Sequence, residues 1–251
     1  MKISGMAYEV RKRIPEILKK PLRFIWHKWN MKIDLEMQKN LAEYYHLKEK
    51  EVMRILKIAG RLNADYWKCV NPKTESQIIK FYEDTPFYVL NLTFWHSTRY
   101  QRKLRRRFVE LAAGRVLDYG GGAGDLCLIL ANQGLEVNYA DVEGRTYDFA
   151  KWLFAKNNHK IAMINLSQEK ISQKYDTIFC IDVIEHVTNP KEVLKDFFDH
   201  LNPNGKLIIT ALHPEVSESI PMHFELKFNP EEYIKSLGMS PGDEEFLWVK
   251  K

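Results

Sequence analysis

The chain has 251 residues and is 45 % hydrophobic, enough for one large domain or a domain with an appendage. No apolar run reaches the roughly 18 residues of a membrane span, and no secretory leader is expected from residues that lack an apolar signal core. Three scattered cysteines, Cys69, Cys127 and Cys180, lack metal spacing, so reduced thiols in a cytoplasmic setting are expected.

The net charge of +5 is unevenly spread. Residues 1–114 hold 24 Lys and Arg against 12 Asp and Glu; residues 115–251 hold 14 against 21. The reading divides the chain into a basic, aromatic-rich helical lid over 1–111 and a mildly acidic domain over 112–251. A helix is expected over 6–20, with Pro15 shortening or kinking it. Tryptophans among Lys and Arg over 21–29 suit either a peripheral membrane contact or a lid packed on the main domain. Residues 34–60 read as one amphipathic helix ending at Gly60. Phe81, Tyr82, Phe87, Tyr88, Phe94, Trp95 and Tyr100 then form an aromatic cluster. A basic stretch follows from Arg99 to Arg107, on which Leu104, Phe108 and Leu111 make a helical apolar stripe. Basic helices beside aromatics suit anionic partners, nucleic acid included, but no RNA-binding motif accompanies this one.

From residue 115 strand and helix alternate, the pattern of an open, mostly parallel α/β sheet. Strands are expected over 115–119, 136–140, 160–164, 176–181, 206–211 and 245–250. Helices are expected over 123–133, 144–157, 190–201 and 230–237. The central stretch is Val116-Leu117-Asp118-Tyr119-Gly120-Gly121-Gly122-Ala123-Gly124-Asp125. Gly120, Gly122 and Gly124 alternate between a strand and a helix start, where glycine lets a ligand approach the backbone. Ligands bind over the carboxyl ends of such strands, and Asp118, Asp141 and Asp182 all fall there. Asp141 suits acceptance of two ribose hydroxyls. Asp118 suits orientation of the glycine turn or contact with a ligand amino group. Asn165 and Ile181 fall where an adenine and its neighbours would pack.

The Asp-x-Gly-x-Gly-x-Gly pattern resembles motif I of the class I S-adenosylmethionine-dependent methyltransferases. Two later segments extend the likeness. The stretch from Tyr175 to Val187, with Asp182-Val183-Ile184-Glu185-His186 inside it, is similar to a motif of the ubiquinone-biosynthesis O-methyltransferases. Leu201-Asn202-Pro203-Asn204-Gly205 resembles the entry to their fifth strand. The resemblance covers about residues 112–213.

It implies a doubly wound, Rossmann-like fold with S-adenosylmethionine as donor, bound by Asp118, Gly120, Gly122, Gly124, Asp141, Asn165, Ile181 and Asp182. An arginine ahead of the core, nearest in position to Arg99, would meet the donor's carboxylate. It also implies a divalent cation such as Mg²⁺ on Asp182, Glu185 and His186. General base for His186, or a structural role for Glu185 and His186, stay open beside ligation. His223 is the expected residue on the acceptor side. The expected reaction is O-methylation of a small molecule, anionic or lipid-like. RNA or protein methylation, and a non-catalytic binding module, are the alternatives. The short tail after Gly238 leads to the expectation of a compressed or partly missing sheet edge.

Overall fold

The computed structural model describes residues 34–251. The helix expected over 6–20 and the tryptophan stretch at 21–29 lie outside the described residues.

Among the described residues, six helices precede the first strand: α1 (Leu35–Tyr44), α2 (Glu49–Leu56), α3 (Ala59–Val70), α4 (Glu75–Asp84), α5 (Tyr88–His96) and α6 (Arg99–Leu111). The single helix expected over 34–60 is therefore broken. His46 adopts a left-handed φ of 53°, which ends α1, and Lys48 starts α2. Gly60 does not stop a helix but lies inside α3. A Cβ there would come within 2.9 Å of Asn91 Oδ1, so the missing side chain lets α3 approach α5. Side chains cap the helix starts. Asp34 accepts from the Glu36 and Met37 amides at 3.0 and 3.1 Å, and Thr98 from the Gln101 amide at 3.2 Å.

The sheet follows as expected through its parallel part: β1 (Arg115–Tyr119), β2 (Glu136–Asp141), β3 (Ala162–Asn165), β4 (Tyr175–Cys180) and β5 (Leu201–Ile209). Helices α7 (Asp125–Asn132), α8 (Arg145–Lys156) and α9 (Pro190–His200) make the crossovers. Pro190 stands in the first turn of α9, where its missing N–H costs nothing. Strand β5 starts earlier than expected. Its pairing with β4 is irregular between Tyr175 and Thr177, and the Asn202–Gly205 turn is absorbed there, with Asn204 at φ 61°.

Of the compressed or partly missing sheet edge expected, the structure shows compression and no missing strand. After α10 (Pro230–Ser236), β6 (Met239–Pro241) and β7 (Leu247–Lys250) are both present. The order is β3-β2-β1-β4-β5-β7-β6, with β7 antiparallel to β5 and to β6. A three-residue strand carries too short an alternation to read from sequence.

Apolar strands drive the core. Val116, Leu117, Ile178, Phe179, Leu207 and Ile208 are all buried, as expected for a sheet covered on both faces. The helices ahead of β1 join this core. Phe108 of α6 packs 5.9 Å from Phe179 between ring centroids. Leu41, Val52, Leu56 and Leu90 cluster with Phe149 and Leu153 of α8. Strand order reverses between β1 and β4, which opens a crevice at their carboxyl ends. Among the described residues no helix is long and apolar enough to cross a membrane.

Candidate active site

The turn after β1 lies in that crevice. Gly120 and Gly122 take φ of 67° and 54°, which side chains resist. The Gly120 amide donates to the Ala140 carbonyl at 2.7 Å, and the Gly122 amide to Asp141 Oδ2 at 2.8 Å. Gly124, at φ 74°, starts α7 where a Cβ would strike the Phe154 ring at 2.7 Å. All three glycines hold positive φ, and at Gly124 closeness to the Phe154 ring adds a second need for glycine.

A cavity of about 260 Å³ opens over this turn. It is lined by Gly120–Gly122, Asp118, Asp141, Val142, Leu166, Ile181 and Arg105, together with Ile78, Ile79, Tyr82, Val187, Asn189 and Val193. Tyr88, Trp95, Asp182 and His186 also line it.

Asp141 Oδ1 accepts from the Val142 amide at 2.8 Å. A carboxylate offers about four acceptor sites, so this oxygen keeps capacity for a ligand hydroxyl. Burial pushes the Asp141 carboxyl up to about 6. Asp118 is 3 % exposed, accepts from Cys127 Sγ at 3.2 Å, and is likewise pushed up to about 6 by burial. The glycine backbone, the acceptor at Asp141 and the apolar walls at Val142, Leu166 and Ile181 fit a nucleoside. Arg105 and His96 also line the cavity: Arg105 Nη1 lies 2.7 Å from Asp125 Oδ2, and His96 Nδ1 lies 3.0 Å from that oxygen. Burial raises the Asp125 carboxyl, but Arg105 and His96 outweigh it and hold the group well below the usual carboxylate range.

Asp182, just past β4, stands at a left-handed φ of 54°. Its Oδ2 accepts from Trp95 Nε1 at 2.8 Å and Gln101 Nε2 at 2.9 Å. Its Oδ1 accepts from Thr210 Oγ1 at 2.7 Å. The carboxylate thus ties α5 and α6 to the ends of β4 and β5.

A single 3₁₀ turn, Ile184–His186, follows. His186 Nδ1 lies 2.9 Å from the Tyr82 hydroxyl and 3.1 Å from the Met222 carbonyl oxygen. A carbonyl only accepts, so this contact favours a proton on Nδ1 and leaves the Nε2 lone pair open. Burial, with His223 beside it, pulls the His186 ring down to about 4, so it is neutral near pH 7. The two imidazole rings stand 4.8 Å apart. Glu185 is 2 % exposed and its Oε2 has no partner; burial and then Asp182 push its carboxyl well up.

The structure gathers Asp118, Gly120, Gly122, Asp141, Ile181, Asp182 and His186 around one cavity. It does not gather all the expected residues. Arg99 is exposed on α6, and the guanidinium at the cavity belongs to Arg105, on another face of that helix. Asn165 donates from Nδ2 to Glu143 Oε2 at 3.0 Å outside the lining, where Leu166 stands instead. The metal set changes as well. Asp182 is engaged by three donors, and the group whose ligand atoms lie within 4.8 Å of one another is Glu185, His186 and His223. His223 touches His186 rather than the cavity. Gln101 and Thr210 had no sequence signal as site residues, and Arg105 was visible only as a member of the basic stretch. Tyr82, Tyr88 and Trp95 were visible only as members of the aromatic cluster.

Residues 94–234 match the methyltransferase domain family. A ubiquinone biosynthesis O-methyltransferase of Rickettsia akari is 30 % identical over 128 residues, covering 50 % of this chain and 47 % of its own length. Its counterpart in Rickettsia typhi is 29 % identical over 113 residues, covering 44 % and 46 %. The chain therefore spans about half the length of the curated relatives it matches. An O-methyltransferase family protein from Burkholderia thailandensis shares the fold at a TM-score of 0.51 and 15 % identity, over 70 % of this chain and 60 % of that one.

Proposed function

The chain belongs to the methyltransferase domain family, and on that premise we propose that it transfers the methyl group of S-adenosylmethionine to a hydroxyl oxygen of a small molecule. The observation that carries this reading is that one cavity is lined by the glycine turn, Asp141 and the neutral His186. When bound, the donor supplies an electrophilic methyl group on a sulfonium.

The protein's part is then to hold two reactants in line and exclude water. The turn at Gly120–Gly122 lets the donor lie close to the backbone, and Asp141 accepts from its ribose hydroxyls. Val142, Leu166 and Ile181 supply apolar walls. Helices α4 and α5 roof the cavity through Tyr82, Tyr88 and Trp95. At His186 the Nε2 lone pair takes the proton of the attacking hydroxyl, while the Met222 carbonyl holds Nδ1–H.

A second reading rests on Glu185, His186 and His223, whose ligand atoms lie within 4.8 Å of one another. The unpartnered Glu185 oxygen and two imidazoles fit a divalent cation such as Mg²⁺ less well than a softer ion. A calorimetric metal titration decides it: saturable binding that disappears in Glu185→Gln supports ligation, and no heat removes it.

Methylation of RNA or protein is less favoured, because much of the arginine run is engaged within the fold. Arg102 donates to the Ser97 carbonyl, Arg105 pairs with Asp125, and Arg107 with Glu110 and Glu244. The test is incubation with labelled donor and a metabolite extract, followed by mass detection of product. Label in a small molecule, lost in His186→Ala with donor binding retained, supports the proposal. Label only in RNA or protein, or full turnover by His186→Ala, rejects it.

A further inference from the structure

The cavity has apolar walls at Ile78, Ile79, Val187 and Val193. Glu75 also lines it, exposed in the first turn of α4, with Oε1 accepting from Asn189 Nδ2 at 3.4 Å. Among the described residues, the one Lys or Arg lining the cavity is Arg105, which pairs with Asp125. Lys80 of α4 pairs instead with Asp84 at 3.0 Å, away from the lining.

We infer that the acceptor site selects a molecule without negative charge, uncharged or cationic, and that Glu75 is the residue that sets this preference. The inference rests on the methyl-transfer reading of the cavity and departs from the expectation of an anionic acceptor. A carboxylate or phosphate entering the cavity loses water and, among the described residues, meets no Lys or Arg other than the Asp125-paired Arg105, which is the costly way to bury a charge. It also approaches the Glu75 and Asp182 carboxylates. An aromatic alcohol needs no such partner, and an ammonium group reaching the mouth gains Glu75.

The test uses the full chain loaded with S-adenosylhomocysteine. Three probes share a dihydroxylated ring and differ in the charge of the arm: 4-ethylcatechol, dopamine and 3,4-dihydroxyphenylacetate. Calorimetry is expected to show the acid at least about tenfold weaker than the neutral ring. The amine is expected to bind roughly two- to fivefold tighter than the neutral ring, the range of an exposed ion pair. Glu75→Gln removes the amine's advantage, and Glu75→Lys turns the order toward the acid. Both variants are checked for unchanged S-adenosylhomocysteine binding.

An acid that binds as tightly as the neutral ring overturns the inference. So does an order that ignores both substitutions, or a loaded protein that takes none of the three probes. Failure to bind S-adenosylhomocysteine at all sinks the methyl-transfer reading instead.

Discussion

Gly120→Ala isolates the requirement for glycine in the turn. The added Cβ would lie 2.4 and 2.8 Å from the two γ carbons of Val183, and 3.2 Å from its Cβ. Val183 is β-branched and stiff at χ1, so it has little room to turn aside. At φ 67° an alanine also carries the left-handed penalty of roughly 1–2 kcal/mol. Overpacking adds about 1–3 kcal/mol, for a total of roughly 2–5 kcal/mol. In a chain of this size each kcal/mol lowers Tm by about 2–4 °C. Gly134 supplies the control: its φ is 80°, but nothing lies within 4 Å of an added Cβ. Gly134→Ala therefore carries the backbone penalty alone. Thermal melts of both variants, with S-adenosylhomocysteine titrations, separate the two effects. Gly120→Ala is expected to melt lower than Gly134→Ala and to bind at least about tenfold more weakly, while Gly134→Ala keeps wild-type affinity. Equal melting and equal affinity in the two variants would refute the crowding at Val183.

Asp182→Ala leaves the donors of Trp95 and the buried Gln101 without their acceptor. It is expected to cost about 1–3 kcal/mol and to open α5 and α6 to limited proteolysis. Asp182→Asn retains an acceptor and is expected to be milder; equal losses would show that charge, not acceptance, matters. The Asp118 carboxyl is raised by burial from 3.8 to about 6, so the folded state binds the extra proton between those values. Its contribution to stability is present below about pH 4 and is lost as pH rises to about 6, by up to ~3 kcal/mol. Asp118→Asn is therefore expected to gain stability relative to wild type across that window in denaturant titrations, and a constant difference contradicts this. Tyr82→Phe keeps the ring beside His186 but removes the hydroxyl 2.9 Å from Nδ1. Turnover is expected to fall about fivefold, the worth of one hydrogen bond of ~1 kcal/mol, with donor affinity unchanged. Unchanged turnover would remove Tyr82 from the positioning of His186.

What was legible in the sequence is what is local. The strand, glycine turn and helix from Arg115 to Asn132 are contiguous, and Asp141 and Asp182 follow strands whose apolar runs mark their ends. The cavity's far side was hidden because it is built across long separations, Tyr82 to His186 and Trp95 to Asp182. Helix α6 shows a second cause. Its buried face carries Gln101 and Arg105 beside Phe108, at spacings of four and three. A count of apolar residues registers Leu104, Phe108 and Leu111 but passes over polar side chains on the inward face. Position relative to the glycine motif pointed to Arg99, whereas helical phase turns Arg105 toward the cavity. The break at His46 left no trace either, since a left-handed histidine lacks the glycine that usually marks a helix end.

The central claim is that the glycine turn and Asp141 form one donor site. Its most direct test is calorimetric titration of the full chain with S-adenosylhomocysteine, in wild type and in Asp141→Ala. Saturable one-to-one binding by wild type, weakened at least about tenfold in a folded Asp141→Ala, is the predicted result. No heat from folded wild type, or equal affinity in the two proteins, would contradict it.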